Sequence, residues 1–124
     1  MKEEVRFTIP LNPVTKKNSQ QIILVGGRPR IIPSKKYKEY ERECIPFLTH
    51  VEHVTGRLNV KAVYFMRTRR RVDLINLHEA LHDILVKAGV LEDDNCKIIY
   101  STDGSYVDYD KENPRTEVTI TYLD

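Results

Sequence analysis

The sequence predicts an α+β fold, a single small domain in which a mixed β-sheet carries two principal helices. Three observations lead there. Six short stretches are rich in Val, Ile, Thr, Tyr and Phe and are bounded by Gly, Pro, Asn or Asp, the composition of strands and their turns. Two other stretches space their apolar residues three and four apart, the period of a helix with one buried face. With 124 residues, 40% of them hydrophobic, the chain suits one modest core. No linker-like tract or internal repeat divides it, so residues 1–124 read as one domain.

In order along the chain, Val5 to Ile9 alternates as a strand and stops at Pro10, and Asn12-Pro13 followed by Lys16-Lys17-Asn18-Ser19 reads as a basic loop. Gln21 to Val25 and Arg28 to Ile32 form a hairpin closed by Gly26-Gly27, because a two-residue hairpin turn needs positive φ and glycine adopts it freely. Ser34 is placed to cap a helix whose Tyr37, Tyr40, Cys44 and Phe47 or Leu48 fall at helical spacing, and Pro46 is expected to bend or end it. Leu58 to Met66 is a further strand. A second helix runs from about Asp73 to Ala88 with Gly89 as its stop. After the acidic loop Glu92-Asp93-Asp94 come strands Lys97 to Ser101 and Thr116 to Leu123, separated by a turn-rich segment with Asp103-Gly104 and Asn113-Pro114.

Charge is distributed unevenly. Through Val72 there are 16 Lys and Arg against 6 Glu and no Asp, whereas from Asp73 onward 4 Lys and Arg face 12 Asp and Glu. The net charge of +2 conceals this division, and such asymmetry points to nucleic acid, whose phosphates release counterions when Lys and Arg neutralise them. The opening Met1-Lys-Glu-Glu-Val-Arg has no apolar signal region and no apolar run approaches the length of a membrane span, so a cytoplasmic protein with no membrane partner is expected. Cys44 and Cys96 lack the spacing of a zinc or redox site and read as free thiols.

The second helix carries the chemistry. At 100° per residue, Leu74, Leu77, Leu81, Ile84, Leu85 and Ala88 share one face while Asp73, Asn76, Glu79, Asp83 and Lys87 share the opposite one. Asp94, after the Gly89 turn, could return to the head of this helix or to its flank. Carboxylates gathered in this way raise one another's pKa unless a cation intervenes, and an oxygen-only set suits Mg²⁺, or Mn²⁺. A competing motif lies on the same helix: His78-Glu79-Ala80-Leu81-His82 matches HExxH, in which two histidines one turn apart hold zinc and the glutamate is general base. The extended form of that motif would require glycine at 85 and histidine at 88, where the chain has Leu85 and Ala88. The helical wheel sets His78 and His82 between the apolar and acidic faces.

Arg69-Arg-Arg-Val-Asp-Leu-Ile-Asn-Leu, Ala80-Leu-His-Asp83 and Lys87-Ala-Gly-Val-Leu-Glu-Asp-Asp94 together resemble the RusA family of Holliday junction resolvases. That family has a basic run, a DLDN segment opening a helix and a paired acidic loop after it. The resemblance implies a Mg²⁺-dependent endodeoxyribonuclease of DNA recombination and repair, acting as a homodimer in which each subunit nicks one of two symmetric strands of a four-way junction. Residue by residue, it implies that Asp73 and Asp94 are catalytic metal ligands, that Asp93 beside Asp94 is a further metal ligand, and that Asn76 is the asparagine of DLDN. Two positions depart: Ile75 replaces the second aspartate, and Glu79 stands where the family often has a lysine. Glu79 or Asp83, with Asp83 preferred, is expected to restore the missing ligand. Lys16, Lys17, Arg69, Arg70 and Arg71 are expected to hold backbone phosphates without reading bases, and Asn76 is expected to contact the DNA with them. The alternatives are a junction-binding protein without catalysis and a small zinc hydrolase built on HExxH.

Overall fold

Two helices lie against one face of a mixed five-stranded sheet in the computed structural model, which describes residues 4–16 and 20–124. The strands of this sheet are β1 (Glu4–Ile9), β4 (Leu58–Met66), β5 (Ile99–Ser101), β6 (Tyr106–Tyr109) and β7 (Arg115–Tyr122), and the helices are α1 (Lys35–Cys44) and α2 (Leu74–Lys87). β2 (Gln20–Val25) and β3 (Arg28–Pro33) form a separate hairpin. This is the α+β architecture expected.

β7 lies antiparallel between β1 and β4, with Phe7 opposite Val118 and Val118 opposite Ala62. Period-two alternation sends Phe7, Ile9, Leu58, Val60, Ala62, Tyr64, Val118 and Ile120 to the covered face, where they form the core with Tyr37, Tyr40, Cys44, Leu77, Leu81, Ile84 and Leu85 from the helices. At roughly 2 kcal/mol for each fully buried aliphatic side chain, this stripe fixes the rotation of α2. The direction of its polar face follows from that rotation.

The other edge of β4 is shared. β5 pairs with Leu58 and Asn59 at one end and β6 pairs with Val63 to Met66 at the other, both parallel to β4. The Asn59 side chain fixes the turn between them, accepting from the Asp103 amide at 2.8 Å and donating to the Asp103 carbonyl at 3.2 Å.

Local signals act as anticipated in most places. Ser34 Oγ accepts from the Tyr37 amide at 3.2 Å, and α1 ends at Cys44 and passes into a 3-10 turn, Ile45–Phe47, holding Pro46. Leu48, not Phe47, is the buried residue after it. Gly26 and Gly27 have φ of 59° and 76°, the left-handed pair of a tight hairpin turn. Two expectations are corrected. The strand expected from Lys97 begins only at Ile99, because Asn95 takes the Lys97 amide on its side chain and the Ile98 and Ile99 amides on its carbonyl. The segment read as turn-rich contains β6, whose backbone is held by β4.

Candidate active site and nucleic-acid face

β4 delivers the chain to the basic loop. As it leaves the sheet, the Arg67 amide donates to Asn12 Oδ1 at 2.9 Å, tying this loop to the one after β1. Arg69, Arg70 and Arg71 are exposed and make no ion pair among the described residues. The Arg69 guanidinium lies 4.2 Å from the centre of the Tyr109 ring, a cation-π contact that holds it without neutralising it. Arg70 and Arg71 line a depression of about 260 Å³ together with Asn12, Thr15, Lys36 and Thr68. Among the described residues no acid of the second half of the chain pairs with these arginines.

Lys36 and Thr15 were not anticipated. A signal existed: Lys35, Lys36 and Lys38 occupy the first turn of α1, which has no acidic residue, although cations are disfavoured at a helix N-terminus.

The loop after β1 continues from this depression to the acidic face of α2. Thr15 lines the depression, and the next residue, Lys16, donates from Nζ to Asp83 Oδ2. Lys16 also lies 5.7 Å from the centre of the Tyr37 ring, whose hydroxyl donates to the Ala80 carbonyl of α2 at 3.4 Å. Lys17 lies outside the described residues.

The carboxylates fall into two groups. At the head of α2, Asp73 is the N-cap by position, yet its side chain caps nothing and instead accepts from Asn76 Nδ2 at 3.3 Å. Along the flank, burial raises the Asp94 carboxyl above its ordinary value, and a hydrogen bond with Asp93 and the charges of Asp83 and Asp93 raise it further. Asp93 is shifted the other way, because it accepts from the Asp94 amide at 2.7 Å and from Asn95 Nδ2 at 3.1 Å. Ten residues of helix separate Asp73 from Asp83, about 15 Å of axial rise, so these two are not ligands of one ion. Among the described residues no three His, Cys, Asp or Glu side chains converge as a metal cluster. Glu79 is exposed between the two groups, and Ile75 is 77% exposed in the first turn.

His78 lies inside rather than between the two faces, and His82 is half-buried beside it. His78 is buried, its Nδ1 is 2.7 Å from the Tyr64 hydroxyl, and its ring stacks on that of His82 with centroids 5.4 Å apart and planes within 7°. Burial lowers both pKa values, that of His82 to about 4 with the His78 charge contributing. Their Nε2 atoms are buried without a hydrogen-bond partner among the described residues. Glu79, the would-be general base of HExxH, is exposed while His78 is committed to Tyr64.

A family profile, endodeoxyribonuclease RusA, matches residues 10–121, from the first loop to the last strand. The chain belongs to the RusA endodeoxyribonuclease family. Membership brings DNA cleavage of the Holliday-junction-resolving kind, and it sets aside the zinc hydrolase that HExxH suggested. No curated protein matches this RusA-family chain closely enough to be named as a relative. No helix among the described residues is long and apolar enough to cross a membrane.

Proposed function

We propose that this RusA-family chain is a divalent-metal-dependent endonuclease, Mg²⁺ being the natural ion, which resolves four-way DNA junctions as a homodimer. The observation that carries this reading is the continuity of Thr15 and Lys16: one residue lines the arginine-rich depression and the next touches the acidic flank. A DNA backbone lying on the basic loop is thereby led toward the carboxylates. Arg69, Arg70, Arg71 and Lys36 bind phosphates by charge, with Lys17 expected to join them. Junctions are selected by shape, since charged contacts of this kind carry no base information.

The donor set fits a hard cation. Asp94 and Asp83 are both oxygen donors, and the charge of Asp83 adds to the burial that raises the Asp94 carboxyl, a cost that an ion between them would relieve. We assign Asp94 and Asp83 as the ligands, Asp93 as the neighbour that orients the Asp94 backbone, and Lys16 as the counter-charge to Asp83 in the metal-free protein. When bound, the ion supplies the Lewis acidity and the lowered water pKa that metal-assisted phosphodiester cleavage needs. Asp73, at the position the family resemblance gives to its first catalytic aspartate, acts with Asn76 at the head of α2, beside the arginines. Glu79 is the reserve ligand one turn before Asp83.

Calorimetric titration with Mg²⁺ or Mn²⁺ in the absence of DNA tests the ligand assignment. Asp94→Asn and Asp83→Asn should each weaken binding by at least tenfold while Glu79→Gln leaves it unchanged. Unaltered binding in Asp94→Asn would remove the flank as the metal site.

A further inference from the structure

The β2–β3 hairpin is unlike the rest of the surface. Register places Ile22 opposite Ile31 and Leu24 opposite Pro29, so these four share one face of a two-stranded sheet. Ile22, Leu24 and Ile31 are 74%, 74% and 67% exposed. Arg28 and Arg30 sit across from Val25 and Ile23 on the other face. An isolated two-stranded ribbon is marginal in water, and a contiguous exposed apolar patch marks a contact surface.

The two outer edges of the hairpin differ. In a hairpin closed by a two-residue turn, the flanking pair Val25–Arg28 exchanges both backbone hydrogen bonds, and pairs alternate from there. The pairs Leu24–Pro29, Ile22–Ile31 and Gln20–Pro33 therefore direct their backbone groups outward. On β3, two of those three outward positions are proline and have no N–H to give, and Arg28 and Arg30 add charge. These are the devices by which proteins blunt an edge strand. On β2, Gln20, Ile22 and Leu24 keep all three donors, and Gln20–Val25 contains neither proline nor charge. Among the described residues no other strand pairs with that edge.

We infer that β2 pairs antiparallel with β2 of a second copy of this chain, across a two-fold axis near Ile23. This inference rests on the homodimer proposed above and names the surface that makes it. Centred there, Ile22 meets Leu24 of the second copy, and each such pair exchanges both backbone hydrogen bonds through groups that point outward in the single chain. The result is one four-stranded sheet with Ile22, Leu24 and Ile31 of both copies on a common face and the arginines on the other. The same patch serves both copies, as a two-fold interface requires. DNA is the poorer occupant for this edge, because the cations that would attract it are on β3 and face away from the apolar side.

The test is the oligomeric state of the full chain by sedimentation velocity at 1–50 µM, about the range in which a specific dimer persists, without DNA. Leu24→Pro removes one outward N–H while leaving the bonds inside the hairpin, and Leu24→Lys places charge in the seam. Wild type should sediment as a dimer and both variants as monomers, with unchanged circular dichroism and unchanged Mg²⁺ binding. A dimeric wild type whose variants also remain dimeric would overturn the β2 edge while leaving the homodimer standing. A monomeric wild type would overturn the homodimer and this inference together. Dimeric variants that lose junction affinity would show the hairpin to be a DNA contact instead.

Discussion

Two faces of α2 carry residues of nearly the same spacing and do opposite things. His78 and His82, four apart, stack on each other, the first buried and the second half-buried, and desolvation favours their neutral forms. Glu79 and Asp83, also four apart and each one residue further along, face outward, and Asp83 is met by Lys16. A rotation of 100° separates a packing pair from a charged pair. Residue type and spacing alone therefore cannot assign chemistry. The buried stripe of Leu77, Leu81, Ile84 and Leu85 decides which pair sees solvent.

The comparison is broken most severely if the outward carboxylates are dispensable. Asp94→Asn and Asp73→Asn should each abolish junction cleavage while retaining or improving DNA binding, since each removes a charge that repels phosphate. Gel-based cleavage and binding assays on the same preparations separate the two effects; wild-type cutting by either variant would displace the site. Asp83→Ala should cost at least the roughly 100-fold that loss of an outer-shell partner can reach.

A sharper contrast sets that variant against the inner pair. The double variant His78→Ala, His82→Ala should keep most of its nicking activity per folded molecule, yet lose about 2–4 kcal/mol of stability, because it leaves a cavity and an unpaired Tyr64 hydroxyl. Urea unfolding and cleavage rates measure both quantities. Dead histidine variants alongside an active Asp83→Ala would restore the zinc reading.

The basic loop should contribute affinity without specificity. Arg70→Ala with Arg71→Ala should weaken binding to all junction sequences alike and reduce the slope of log K against log salt by about 1.8, two phosphate contacts' worth. An unchanged slope would remove these arginines from the DNA path.

The smallest effect concerns pH. His82 has a folded pKa of about 4 against an ordinary 6.5, so the unfolded chain takes up the proton first. Stability of the metal-free protein should be intact above about pH 6.5 and decline toward pH 4, by about 3 kcal/mol for this group. His82→Leu should flatten that part of the profile in chemical denaturation with chelator present.

Legibility in the sequence followed the range of the interactions involved. The helix of Leu74–Lys87, the strand Leu58–Met66 and the Gly26-Gly27 hairpin are set by local periodicity and turn chemistry, and all three were readable. β6 was not, because Tyr106–Tyr109 is short, flanked by strong turn signals and held as a strand by β4, some forty residues earlier. The carboxylate face and the arginines could be found from spacing and charge. Lys16 on Asp83 could not, since the two stand 67 positions apart and only the packed sheet brings the loop after β1 to the helix flank. The division of the acids between head and flank was equally hidden, because it depends on where the Gly89 turn sends Asp94.

The central claim is that a basic loop, the outward carboxylates of α2 and Asp94 in the loop after it make a metal-dependent junction nuclease. Its most direct measurement is incubation of the protein with an end-labelled four-way junction, with Mg²⁺ or with chelator, alongside Asp94→Asn. The account predicts paired nicks at symmetric positions in Mg²⁺, none in chelator and none from the variant. Junction binding with no nicks in Mg²⁺ or Mn²⁺, or equal nicking by Asp94→Asn, would contradict it.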